Sequence, residues 1–155
     1  MNRALEIAAK VFGYAAAACV AAMMLLTVAD VALRGLFARP IHGTFELVEL
    51  LLAGAFFFAL PAAFLRDEHI VVDVVDRQAP RAVPWLRRAA GIIAVVLLAV
   101  MSWQGARAAR DSWAFGDVTM DLSLPRILYW IPVLCGLICA TVAAAFVLAR
   151  GGEPR

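Results

Sequence analysis

Apolar residues in this chain gather into four long runs, and the charged residues fall almost entirely between them. The runs cover roughly Val11 to Leu33, Leu47 to Leu65, Ala89 to Ala106 and Ile127 to Ala149. Each is long enough to cross a hydrocarbon core of about 30 Å as a helix. Inside lipid a lone segment satisfies its backbone hydrogen bonds only as a helix. The pattern predicts an all-α integral membrane protein, a single four-span domain over residues 1–155.

The stretches between the runs carry turn chemistry. RGLFARPIHG, from Arg34 to Gly43, holds Gly35, Pro40 and Gly43 as helix breakers, which makes spans one and two a hairpin. Thr44 is placed to N-cap the second helix, with Glu46 in its first turn where the helix dipole favours a carboxylate. Pro61 predicts a kink near the far end of that helix. EHIVVDVVDR, from Glu68 to Arg77, sets Ile70, Val71, Val74 and Val75 against Asp73, Asp76 and Arg77, the pattern of a short amphipathic interfacial helix between spans two and three. Beyond the third run no breaker occurs before Gly116, a natural C′ residue, so the helix is expected to continue to Phe115. LSLPR then leads into the fourth span, with Pro125 at or near its first helical position.

Composition agrees with this layout. Hydrophobic residues make up 65% of the 155, and the mean hydropathy is +0.87. An ordinary soluble domain holds about 45–50%. Arg3 and Lys10 precede the first run as in a signal peptide, but the run is far longer than such an apolar core, so an uncleaved first span is expected. Counting Lys and Arg by side places nine with the termini and the loop between spans two and three, and five on the other side. The positive-inside bias therefore predicts that both termini are cytoplasmic. The net charge of +2 is explained by topology, with no basic stripe of the kind that binds nucleic acid. Cys19, Cys135 and Cys139 all lie within apolar runs, where a thiol acts as a small hydrophobe, and no loop C-x-x-C pair exists. No cofactor, metal or catalytic constellation is predicted.

The polar residues near the ends of spans one and two are the best functional candidates. Asp30 lies one turn before Arg34, Glu46 lies near Glu49, and the hairpin brings these four to similar depth. Three readings remain open: a structural ion pair with two interfacial glutamates, a cluster that finds counter-charges on another membrane subunit, or coupling carboxylates of a small homo-oligomeric proton- or cation-driven transporter using Glu49 or Asp30. His69 stands alone in the second loop, where a structural role outweighs a ligand role. Gly54, Gly91, Gly136 and the Ala15 to Ala18 run permit close helix packing.

Three stretches together resemble one family: DVALRGLFARPIHGTFELVE from Asp30 to Glu49, HIVVD from His69 to Asp73, and GDVTMDLSLPRILYW from Gly116 to Trp130. They look like the small membrane subunit of a tripartite ATP-independent periplasmic (TRAP) transporter. The resemblance implies a non-catalytic inner-membrane subunit, without cofactor, whose partners are a large multi-span subunit, a periplasmic solute-binding protein and membrane lipid. It also implies ion-gradient-driven uptake of organic acids, typically carboxylates. Asp30, Arg34, Glu46, Glu49, His69, Asp73 and Pro125 match the family pattern and are expected to serve fold and interface. Asp117 and Asp121, in the loop from Gly116 to Arg126, are candidates for contact with the binding protein.

Overall fold

The computed structural model describes residues 3–66 and 83–149. His69, Asp73 and the expected interfacial helix lie outside these residues. The described chain contains four helices: α1 (Arg3–Phe37), α2 (Thr44–Arg66), α3 (Val83–Phe115) and α4 (Ile127–Ala149). All four are long and apolar enough to cross a membrane. α1 and α3 exceed their apolar runs, with 35 and 33 residues against 23 each for α2 and α4. At 1.5 Å per residue, the longer pair measures about 50 Å and the shorter pair about 34 Å.

The helices form a series rather than a ring. α1 packs on α2, α2 on α4, and α4 on α3, while among the described residues α1 and α3 share no comparable seam. Two hairpins of consecutive helices thus meet along the α2–α4 seam. Burial stays low: 33% of the apolar window of α4 is enclosed, and 11% of that of α1. The rest of each helix faces the surroundings, which suits a chain whose solvent is lipid.

Small residues set the distance between helices. In the α1–α2 hairpin Gly54 lies against the Cys19 thiol, and Phe12 meets Phe58 with ring centroids 6.2 Å apart. Between α3 and α4, Gly91 receives Leu148, and Gly105 receives Leu134 and Trp130. Ser102 and Thr141 approach to 3.3 Å across the same seam, each hydroxyl lying within hydrogen-bonding distance of the carbonyl four residues back. The tightest contact lies between α2 and α4. A Cβ on Gly136 would collide with the backbone carbonyl of Phe57. That carbonyl is the one left free by Pro61, which is fully buried and has no N–H to return to the residue four positions back. An unpaired carbonyl within a membrane is costly. The glycine lets its backbone, and with it a weak Cα–H donor, come up against the freed oxygen. Leu98, Leu137, Ala140 and Ala144 close the core beside this joint, with Phe57, Leu60 and Val133 packed on them.

The turns depart from expectation in two places. Gly35 does not break α1; the helix continues to Phe37 and stops at Ala38, which takes a left-handed φ of 51° and donates its N–H to Arg34 O at 3.2 Å. Thr44 is not the cap of α2. Gly43, with φ of 72°, supplies the first carbonyl of the ladder to Leu47 N, and Thr44 is the first helical residue. α2 remains helical through Pro61 to Arg66. The other end signals hold. α3 reaches Phe115 and ends at Gly116, φ 66°, with Gly116 N bonded to Trp113 O and Asp117 N to Ser112 O, the paired bonds of a Schellman cap.

Candidate functional site

The end of the molecule where α1 stops, α2 begins, α3 stops and α4 begins holds almost every polar candidate. Two carboxylates organise it. Asp30 is 5% exposed and collects donors from both sides of the α1–α2 turn. Its Oδ2 accepts from Arg34 Nη2 at 2.6 Å, and its Oδ1 accepts from the Ile41 backbone N–H at 2.8 Å. The Thr44 hydroxyl lies 3.2 Å from the same Oδ1 and 2.8 Å from Ile41 O, so one proton serves two acceptors. Asp30 ties the last turn of α1 to the first residue of α2. The pairing with Arg34 is the expected i, i+4 pair, and the bonds to the turn anchor the chain reversal.

Glu46 is 6% exposed and performs the corresponding task for the loop of residues 116–126. Its Oε2 accepts from Thr119 Oγ1 at 2.6 Å and Leu122 N at 2.9 Å, and its Oε1 from Asp121 N at 2.6 Å. The Thr119 hydroxyl in turn accepts from Leu124 N at 3.0 Å. The loop folds on itself through Thr119 N to Leu124 O and Arg126 N to Asp117 O, each 2.9 Å, around an isolated bridge between Val118 and Pro125. Ser123 holds a left-handed φ of 53° at its bend. The Tyr129 hydroxyl donates to the Glu46 carbonyl at 2.7 Å, so α4 is fastened to the first turn of α2 as well. Leu122 occupies the space a side chain on Gly43 would need, locking the two turns together.

The four residues grouped by sequence therefore separate. Asp30 and Arg34 belong to one network, Glu46 to another, and Glu49 to neither. Glu49 is exposed and, among the described residues, makes no hydrogen bond or ion pair. It lines a cleft of about 510 Å³ between α2 and α4, with Phe45, Met120, Arg126, Tyr129 and Trp130 among the walls. Asp117 and Asp121 are exposed on the loop and act within it through their backbone groups. Pro125 contributes its bridge and a carbonyl to Leu128 N at 3.0 Å, immediately before α4. Thr119, Leu122 and Tyr129 were not among the sequence candidates. Nothing local to Thr119 points to a carboxylate 73 residues earlier.

Fold and site define a small multi-pass helical membrane protein whose buried carboxylates fasten its turns. Residues 23–151 match the family model described as tripartite ATP-independent periplasmic transporters, DctQ component. The chain belongs to that family: it is a small subunit of a TRAP transporter, a multi-pass protein of the bacterial inner membrane. No curated protein and no solved structure matches it.

Proposed function

We propose that this chain is a non-catalytic scaffold that holds the large membrane subunit and, through the loop of residues 116–126, helps dock the solute-binding protein during ion-gradient-driven uptake of an organic acid. In this reading both termini are cytoplasmic and the whole chain is one four-span domain. The end that carries residues 38–43 and 116–126 then faces the periplasm. The observation that carries the reading is how the carboxylates are used. Asp30 and Glu46 are buried and already occupied by donors from the turns, which suits rigid presentation of a loop. The same loop displays Met120 at 99% exposure beside two exposed aspartates.

The rival reading is a self-sufficient homo-oligomeric transporter using Glu49 or Asp30. Uptake of a radiolabelled organic acid into proteoliposomes separates the two. Transport is expected only when this chain, the large subunit and the binding protein are all present. Ion-coupled transport by this chain alone would refute the scaffold.

A further inference from the structure

We infer that the cleft between α2 and α4 receives one cationic side chain, an arginine or lysine carried near the outer end of a membrane helix of the large subunit, and that Glu49 is its counter-charge. The inference rests on the scaffold reading above and names the contact through which the scaffold holds its partner.

The charge balance of the cleft comes first. Its lining includes Glu46, Glu49 and Asp121 against Arg126, three acids and one base. Glu46 is saturated by the loop, whereas Glu49 has no partner among the described residues. Arg126 shares the cleft without forming an ion pair to Glu49. Glu49 is also the last ionisable residue of α2 before Arg66. A carboxylate turned towards lipid within a span is costly, and such groups are found paired or facing protein or water. A cation from outside the chain meets that need.

Depth then selects the kind of partner. Glu49 lies five residues past Thr44 and Val133 six past Ile127, so the cleft floor is about 7–9 Å inside the ends of the two helices. A soluble protein resting on the loop meets Met120 and Asp121 at the rim, while the floor is open to a partner that is itself in the membrane. Below the cleft, α2 continues the exposed face as Leu52 and Phe56, 55% and 60% exposed, in register with Phe45 and Glu49 at i, i+4, i+7 and i+11. This is the spacing by which one helix lies along another. Phe45 and Trp130 furnish aromatic faces that also attract a cation.

The test uses the assembled complex in lipid nanodiscs, with affinity between this chain and the large subunit as the readout. E49Q is expected to weaken it by roughly tenfold or more, as losing one partner of an enclosed charge pair does, and E49K to weaken it further. A benzophenone amino acid in place of Leu52 should crosslink to a large-subunit helix within a turn or two of an arginine or lysine. The isolated E49Q chain should unfold at the wild-type temperature, because among the described residues Glu49 makes no hydrogen bond or ion pair. Wild-type affinity in E49Q and E49K, crosslinks only to lipid or to a second copy, or unfolding of isolated E49Q would each overturn the cation contact and leave the scaffold standing. Failure of the wild-type chain to bind the large subunit would overturn both.

Discussion

Replacing Glu46 with alanine removes the acceptor for three donors of the loop at once: the Thr119 hydroxyl and the Asp121 and Leu122 amides, at 2.6, 2.6 and 2.9 Å. Hydrogen bonds to a charged group contribute about 1.5–3 kcal/mol each. They are not additive here, because Asp121 is exposed and its amide can bond to water once released. A local opening cost reduced by about 2–4 kcal/mol is the resulting expectation. At 1.4 kcal/mol per decade this is about a 30- to 700-fold loss of protection from hydrogen exchange at the two amides. Glu46→Gln is milder, about 1–2 kcal/mol, because the amide oxygen can still serve Thr119 and Leu122 while its NH₂ meets the Asp121 N–H donor to donor. Exchange measured by mass spectrometry in nanodiscs, with peptides covering residues 117–126, reads both variants. Core peptides of α3 and α4 serve as internal controls. If protection at Asp121 and Leu122 in the alanine variant stays within about threefold of wild type, or falls equally in the core, the assignment of Glu46 as the local fastening is wrong.

Asp30→Asn should loosen the α1–α2 turn by about 1–3 kcal/mol, since it removes the ion pair with Arg34 and weakens the acceptor for Ile41 N; faster hydrogen exchange at the Ile41 amide checks it, and an unchanged rate counts against it. Gly136→Ala places a methyl on the Phe57 carbonyl and should cost at least the 1–3 kcal/mol usual for overpacking, seen as a lower unfolding temperature in detergent. Gly43→Ala combines a left-handed φ of 72° with a collision against Leu122, so pairing it with Leu122→Ala should recover the steric part and leave about 1 kcal/mol of backbone strain; full recovery would show that the conformation itself is not strained.

Features set by nearby residues were readable from sequence. The four spans, the continuation of α3 to Phe115, the cap at Gly116 and the Asp30–Arg34 pair all follow from composition or from spacing within one helix. Expectations failed where a local preference was overridden. Gly35 was tolerated inside α1, which ran on to Phe37 before Ala38 turned left-handed, and the Thr44 hydroxyl turned back to Ile41 and Asp30 rather than capping its own helix. Glu46 and Glu49 lie one turn apart. Only the folded loop, held from 73 to 76 residues away, distinguishes a buried fastening from an exposed charge. The match of Gly136 to the carbonyl freed by Pro61 is likewise a product of tertiary packing, though each residue was notable alone.

The serial arrangement of the helices also orders biosynthesis. α1 and α2 are neighbours in the chain and in space, as are α3 and α4, so each hairpin can complete its own packing as soon as it leaves the translocon. The α2–α4 seam must wait for the last span, and with it the Pro61–Gly136 joint and the capture of the loop by Glu46. A defect at Gly136 therefore strikes after insertion, leaving two correctly threaded hairpins that fail to close on each other: a lesion of assembly within the bilayer, open to quality-control proteases, rather than of topology.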